Sequence, residues 1–291
     1  SVCGETLGSW TPIGNETNKY KGTFNGNGHT ISNIYVNSTL ENQGLFGCTD
    51  TSAYIYDVRV SGNITSTKKR TGGLIGINYG KIEKCINYTK VTGSVSKTGG
   101  IAGRNAGVIS RCVNYGDVKG QESVGGISGM NGVLDTTGYI YECYNMGNVY
   151  STSYNAGGIV GSAGIHGANS VAFIYNCYNA GNINSDLQYK GGILSSSGYK
   201  GGSVYIYNCY NIGNVNGGKA IVYFQQGGDL DQQNCYSSTD STLENLVKKS
   251  NINQQLLNTG TYRNDVWTDD VKNDDGTWKY NNGYPILKWQ L

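Results

Sequence analysis

The feature that most constrains this chain is a motif that returns every 24 to 34 residues. At its centre is a cysteine, with isoleucine three positions upstream, asparagine two positions downstream, and a Gly-Gly-aliphatic triplet earlier in the unit. The five clearest copies are centred on Cys85, Cys112, Cys143, Cys177 and Cys209. A period of this size, built of short β-branched and aromatic segments between Gly and Asn, predicts a β-solenoid with one coil per repeat.

The register extends beyond these copies to Ile34, Val58 and Cys235. It predicts an all-β chain folded as a parallel, right-handed β-helix of about eight coils, formed by residues 29–238. Open solenoid ends expose unpaired backbone, so we expect residues 1–28 to form an N-terminal cap and residues 239–291 a C-terminal cap. Within the C-terminal cap, Ser241-Thr242-Leu243-Glu244 matches a capping box and predicts a short helix.

Coil stacking turns each repeated position into a column of like side chains, because neighbouring strands lie about 4.8 Å apart. We expect the Ile, Cys and Val columns to form one continuous apolar core. The cysteines are expected to be free thiols, since parallel columns aim them poorly for disulfides. The asparagines are expected to form a hydrogen-bonded amide column at a coil corner, and to tolerate left-handed backbone there; they are Asn87, Asn114, Asn145, Asn179 and Asn211.

Charge and hydropathy argue against several partners. The chain has 22 basic and 20 acidic residues, and the net charge of +2 indicates no general attraction to nucleic acid. No apolar run approaches the roughly 20 residues that span a bilayer, so we expect no membrane insertion. The sequence suggests no cofactor and no metal site, because the acidic run at residues 269–275 does not match a calcium-binding loop.

The repeat unit resembles a bacterial motif. Residues 99–118, from Gly99-Gly100-Ile101 through Cys112 to Val118, are similar to the GLUG motif of bacterial surface proteins, including the β-helical region of IgA-specific metallopeptidases. The resemblance implies an extracellular protein, secreted or attached to the bacterial cell surface, in which this chain is one module of a larger parent. Peptidase chemistry would need a zinc-binding His-Glu-x-x-His sequence, and His29 and His166 are the only histidines.

Three neighbouring coils carry aromatic residues on both sides of the inward isoleucine. Because alternate residues of a strand face opposite sides, these neighbours are expected to point outward. The resulting surface, which we call the aromatic face, consists of Tyr139, Tyr141, Phe173, Tyr175, Tyr205 and Tyr207. A third exterior column is expected from Tyr144, Tyr178, Tyr210 and Tyr236.

The aromatic face is the predicted ligand-binding surface, and three interpretations remain open. The rings would suit the C–H faces of pyranose sugars, a protein partner, or only the stabilisation of adjacent coils by cross-strand pairing. The same coils carry insertions at about residues 130–138, 162–172 and 195–203, which are expected to wall one side of the face. His166, in the second insertion, is a further predicted ligand contact.

These patterns predict a non-catalytic, adhesin-like module that binds a host glycan or a host or surface protein, or serves as a rigid spacer. Capped ends favour a monomer. The alternative is a carbohydrate-active β-helix enzyme, either a polysaccharide lyase or a glycoside hydrolase, which would need clustered carboxylates. Asp229 and Asp231 are the best local group of acids, and the sequence assigns no catalytic residue.

Overall fold

A computed structural model describes residues 8–198, 200–237 and 266–291. The chain winds into a β-solenoid whose three long sheets are entirely parallel. About seven turns link the eight strands of the first sheet, so the predicted parallel β-helix is confirmed. The described residues contain no α-helix, and one short 3-10 helix lies at Lys288–Gln290.

Each turn contributes one strand to sheet 1 and one to sheet 2. Sheet 1 has eight strands: Thr23–Asn25, Tyr54–Tyr56, Lys81–Glu83, Val108–Ser110, Thr137–Tyr141, Val171–Tyr175, Ser203–Tyr207 and Leu230–Gln233. Sheet 2 has seven strands: Phe46–Cys48, Ile75–Asn78, Ala102–Asn105, Ser128–Val133, Val160–Ile165, Leu194–Ser197 and Val222–Gln225.

Sheet 3 receives more than one strand from most turns, because the chain bends within it. Its strands are Thr30–Ser38, Arg59–Ser66, Thr71–Gly72, Ile86–Asn87, Lys90–Gly93, Ser96–Gly99, Val113–Asn114, Val118–Gly125, Tyr144–Asn145, Val149–Gly157, Tyr178–Asn179, Ile183–Ser185, Lys190–Gly191, Tyr210–Asn211 and Tyr236–Ser237. An antiparallel pair, Trp267–Thr268 with Ile286–Leu287, stands apart from the solenoid sheets.

The main core is built from the predicted isoleucine and cysteine columns. In sheet 1 the isoleucines stand directly beside one another from turn to turn, as Ile109 does between Ile82 and Ile140, and all of them are buried. The seven described cysteines are free and buried. Each corner thiol donates to the carbonyl two residues earlier, as Cys177 Sγ does to Tyr175 O at 3.1 Å. The same carbonyl accepts from Glu142 N of the preceding coil at 3.0 Å, so the thiol supplies its second hydrogen bond.

The valine column departs from the expectation of one continuous core. Val91, Val118, Val149 and Ile183 belong to a separate buried cluster with Val124 and Ala156. The reason is a bend in sheet 3, where the register of Val118–Gly125 shifts between Gly120 and Glu122. The bend brings Val118 and Val124 of one strand into the same cluster, separate from the isoleucines of sheet 1.

The asparagine column is a buried chain of side-chain hydrogen bonds, as predicted. Asn114 Nδ2 donates to Asn145 Oδ1 at 2.7 Å, and Asn145 Nδ2 donates to Asn179 Oδ1 at 2.8 Å. The expected left-handed backbone occurs elsewhere, at the residue before each corner, for example at Arg111 with φ 53° and Glu142 with φ 55°. The sharp turn of each coil thus precedes the cysteine, and the asparagine continues as strand.

The Gly-Gly pairs are required by close approach of neighbouring coils. A Cβ atom placed on Gly100 would lie 2.2 Å from Gly126 O and 2.3 Å from Asn114 Cγ. On Gly99 it would lie 2.1 Å from Ala102 O. The missing Cβ of Gly100 therefore leaves space for the asparagine column, and the missing Cβ of Gly99 allows the tight turn into sheet 2.

The described N-terminal residues cover the first turn. Trp10, Ile13 and Tyr20 pack on the main core, and Trp10 Nε1 donates to Leu45 O at 3.1 Å. The first strand of sheet 1, Thr23–Asn25, already lies within the predicted N-terminal cap. The capping box at residues 241–244 and its predicted helix lie outside the described residues.

Residues 266–291, which we call the lateral strap, lie along the side of the solenoid. Trp267 and Leu287 form a buried cluster with Tyr144, Tyr178 and Tyr210. Tyr178 and Tyr210 are fully buried, and Tyr144 is 5% exposed. The prediction that these tyrosines form an exterior column is therefore wrong: they do leave the core on the outside of the corner, but the lateral strap covers them.

Candidate ligand-binding surfaces

The structure places all six residues of the aromatic face on the outer side of sheet 1. Tyr139, Phe173 and Tyr205 stand in register on three successive strands, and Tyr141, Tyr175 and Tyr207 do the same two positions later. Tyr139 is 38% exposed, and the other five are partly exposed. The alternation expected around the inward isoleucines therefore produces two adjacent aromatic columns.

The rings of these columns stack on one another. The ring centroid of Phe173 lies 4.8 Å from that of Tyr139 and 5.0 Å from that of Tyr205, with interplanar angles of 13° and 18°. The rings of Tyr175 and Tyr207 also stack, with centroids 5.3 Å apart and an interplanar angle of 8°. Both faces of Phe173 are therefore covered by its neighbours, and this ring can offer only its edge to a partner.

A polar network borders the aromatic face on its N-terminal side. Glu83 accepts hydrogen bonds from Tyr54 Oη at 2.5 Å and pairs with Lys81 Nζ at 2.6 Å, while Arg111 Nε donates to Glu142 at 2.8 Å. The hydrogen bond to Glu83, helped by burial, raises the pKa of Tyr54 to about 12. Within this network, Lys81 and Glu83 stand at the register positions that Tyr139 and Tyr141 occupy two turns later.

Asp229 and Asp231, the acids of the enzyme alternative, lie at the C-terminal border of the aromatic face. Asp231 is the register partner of Tyr205, and its carboxylate accepts hydrogen bonds from the Tyr207 hydroxyl and from Gln233 Nε2 at 3.1 Å. Asp229 Oδ2 accepts from Ser203 Oγ at 3.5 Å. In the described parts of the chain, no three His, Cys, Asp or Glu residues are grouped so that they could hold a metal ion.

The first two insertions are mostly strand, and the second directs His166 away from the aromatic face. Most of the second insertion belongs to Val160–Ile165 of sheet 2 and Val171–Tyr175 of sheet 1, and His166 begins the turn between them with φ 64°. Its side chain lines a groove between sheets 2 and 3, which contains none of the six aromatic-face residues. Burial and the charges of Lys97 and Lys200 lower the pKa of His166.

We call this depression of about 550 Å³ the Tyr154 groove. Sheet 3 supplies one wall with Glu122 and Tyr154, and sheet 2 supplies the floor with Met130, Ser162 and Ser196. Tyr154 is 43% exposed. The groove is not among the surfaces predicted from the sequence, although Glu122 and Tyr154 share a fixed position three residues before a Gly-Gly pair, which is a signal for it.

Comparisons with known proteins show the fold and little more. No protein-family model matches the chain. A 78-residue segment, 25% of the chain, is 33% identical to a protein of Evansella cellulosilytica described as a "Putative Gly-rich membrane protein", and it spans only 9% of that protein's length. Within the described residues no helix is long and apolar enough to span a membrane.

A solved structure resembles nearly the whole chain. A "putative immunoglobulin A1 protease" from Bacteroides ovatus superposes with a TM-score of 0.63 over 98% of this chain and 83% of the other, at 20% sequence identity. At that identity the likeness concerns the backbone. The chain therefore shares the β-solenoid fold of the Bacteroides ovatus protein.

Proposed function

We propose that the chain is a non-catalytic β-solenoid module of a bacterial surface protein, and that its aromatic face binds a host protein. The observation that carries the proposal is the regional pair of aromatic columns on the outside of sheet 1. A ring needed only to stabilise coils would be useful in every turn, yet the two preceding turns place Lys81, Glu83, Val108 and Ser110 at these positions. One turn earlier still, Tyr54 and Tyr56 occupy the positions, but they stack on each other within one strand and begin no column.

Ring geometry favours a protein over a sugar at this surface. A pyranose packs its C–H face on an open ring face, and stacking covers both faces of Phe173. Aromatic edges with tyrosine hydroxyls suit protein interfaces, where Tyr is enriched among the residues that carry most of the binding energy.

The two similar proteins support a surface location and suggest a first partner. One is described as a membrane protein and the other as a protease of immunoglobulin A1. Immunoglobulin A1 is a secreted host protein, so it is the probe with which we would test the aromatic face.

The test is surface plasmon resonance of the purified chain over immobilised immunoglobulin A1, with host mucin on a second channel. The triple variant Tyr141→Ala, Tyr175→Ala and Tyr207→Ala should bind at least about tenfold more weakly, because it removes one whole aromatic column. The control is Tyr88→Ala, which removes an exposed tyrosine stacked at 5.2 Å on Tyr115 away from the face. Circular dichroism would check that both variants keep the solenoid.

Unchanged binding by the folded triple variant would contradict the role of the aromatic face. Failure to bind either protein would leave the rigid spacer as the better account. Release of cleaved immunoglobulin or glycan over time would favour the enzyme alternative, and Asp231→Asn would then be the first variant to make.

A further inference from the structure

The Tyr154 groove follows two columns of residues from turn to turn. On its floor, Arg104, Met130, Ser162, Ser196 and Phe224 are register partners on five successive strands of sheet 2. On its wall, the pairing of Ser96 with Glu122 and of Thr98 with Val124 places Lys97 beside Ser123. The groove-lining residues thus continue, one turn earlier, into Lys97 and Arg104.

This N-terminal end of the groove is basic. Arg104 is 94% buried, since its side chain is 6% exposed, and its Nη2 donates to Val133 O at 3.1 Å. Its Nε is buried and has no hydrogen-bond partner among the described residues. Neither Arg104 nor Lys97 forms an ion pair with any residue in the described ranges. The guanidinium lies over the Tyr79 ring, 5.7 Å from its centroid, so among the described residues its charge has an aromatic partner and no carboxylate in ion-pair contact. An anion could still use its free donor.

The other end is aromatic, and its rings are more open than those of the aromatic face. Tyr154 and Tyr189 have centroids 5.7 Å apart and are tilted by 34°, and Tyr189 contacts Phe224 at 5.4 Å. The tilt leaves part of the Tyr154 ring face uncovered, and the residue is 43% exposed. Such a ring can receive the C–H face of a pyranose.

Between the two ends the groove carries short polar side chains. The hydroxyls of Ser123 and Ser162 lie 2.9 Å apart, and Ser196, Asn155 and Gln226 line the same space. Hydroxyl and amide groups both donate and accept, which matches the hydroxyls of a sugar. Glu122 is the one acid among the lining residues.

We propose that the Tyr154 groove binds an oligosaccharide that carries a carboxylate, with the carboxylate at Arg104 and Lys97 and a pyranose ring against Tyr154. By register, Lys97 lies two turns, about 10 Å, from Tyr154, so the chemistry required is a carboxylate on one sugar and an apolar face on a neighbouring sugar. Oligosaccharides that contain sialic acid or uronic acid supply both. This site goes beyond the proposed function, because it lies on different sheets and takes a different class of ligand from the aromatic face.

Isothermal titration calorimetry with the full chain tests the proposal. The acidic probes are sialyllactose and trigalacturonate, and lactose is the neutral match for the first. We expect at least one acidic probe to bind with a dissociation constant of about 1 mM or tighter, and lactose to bind at least about tenfold more weakly. The probe that binds identifies the acidic sugar.

Variants locate the site. Lys97→Gln removes a charge, Tyr154→Ala removes the exposed ring, and each should weaken binding of the acidic probe about tenfold. Tyr139→Ala is the matched control, because Tyr139 is 38% exposed on the aromatic face and should not affect sugar binding. Hydrogen exchange of the unmodified chain supplies a second measurement, with the probe expected to protect residues 122–130 and 154–162.

The proposal is overturned if no acidic probe binds with a dissociation constant of about 1 mM or tighter, or if lactose binds as well as sialyllactose. It is also overturned if folded Lys97→Gln or Tyr154→Ala binds the acidic probe normally, or if the probe protects residues outside the groove from hydrogen exchange. Loss of sugar binding in Tyr139→Ala would place the sugar on the aromatic face, which also contradicts it. Failure of immunoglobulin A1 to bind would not affect any of these measurements, so the two proposals fail separately.

Discussion

At the scale of single residues, the buried cysteines and asparagines supply the side-chain hydrogen bonds at each corner. Cys85, Cys112, Cys143, Cys177 and Cys209 are fully buried, and burial raises the pKa of each thiol well above its ordinary value of 9.0. The thiols stay protonated in the folded chain at a pH where an unfolded chain would already have lost the protons. Their contribution to stability is therefore complete below about pH 9 and is lost as the pH rises above it.

Raising the pH from 8 to 10 should destabilise the fold strongly. Each thiol should lower the free energy of unfolding by about 1 kcal/mol between pH 9 and pH 10, and the slope approaches about 1.4 kcal/mol per pH unit at higher pH. Urea unfolding at several pH values measures this slope. Cys143→Ala should show a smaller slope than the unmodified chain by one thiol's contribution, and an identical slope would refute the explanation.

Replacing one asparagine of the buried column should break its hydrogen-bond chain. Asn145 Nδ2 donates to both Asn179 Oδ1 and Gly147 O at 2.8 Å, and Asn145 Oδ1 accepts from Asn114. Asn145→Leu leaves these buried partners unsatisfied and should cost about 2 to 4 kcal/mol in urea unfolding. Asn148→Ala is the control, because Asn148 bonds to Asp117 at the exposed surface; a similar loss in both variants would argue against the special role of the column.

At the scale of elements, the lateral strap is the part that the repeat does not explain. Trp289 Nε1 donates to Glu142 O at 3.1 Å, and its ring centroid lies 5.8 Å from that of Tyr144. Gln290 Nε2 donates to Tyr178 Oη at 3.1 Å, and Asn281 Nδ2 donates to Tyr210 Oη at 2.6 Å. The strap therefore satisfies the hydroxyls of tyrosines that it buries.

Trp289→Ala should loosen the strap without unwinding the coils. Loss of the ring and its hydrogen bond should cost about 3 kcal/mol and speed hydrogen exchange in residues 266–291. Trp278→Ala is the control, since Trp278 is 41% exposed. Equal exchange rates in the two variants would mean that Trp289 does not anchor the strap.

The sequence predicts the positions of residues that recur in every repeat, and it does not predict their contacts with a segment that lies outside the repeat. The isoleucine column, the free thiols, the amide column and the outward aromatic pairs all follow from strand alternation and coil stacking. The burial of Tyr144, Tyr178 and Tyr210 could not be predicted this way, because it depends on the non-repeating strap. The same limit applies to His166: the groove that it lines combines residues at different offsets on two sheets, and periodicity alone does not show which offsets meet.

At the scale of the whole molecule, the aromatic face and the Tyr154 groove lie on different sheets of one rigid framework. The face lies on sheet 1, while the groove lies between sheets 2 and 3. The aromatic face falls within the turns that contain Cys143, Cys177 and Cys209, and the groove spans the same turns with its basic end one turn earlier, at Lys97 and Arg104. The two preceding turns place Lys81, Glu83, Val108 and Ser110 where the aromatic columns would continue, and Tyr54 and Tyr56 form an isolated stacked pair one turn before them. The continuous aromatic columns are therefore confined to the later turns.

The lateral strap also changes how cooperatively the molecule should unfold. A stack in which each coil touches only its neighbours behaves as a one-dimensional chain of coupled units, and it can lose coils one at a time from either end. The strap contacts three turns at once, through Tyr144, Tyr178 and Tyr210. It thereby links units that are not nearest neighbours, so the turns beneath it should melt together as one cooperative block, while the turns before Cys112 fray independently.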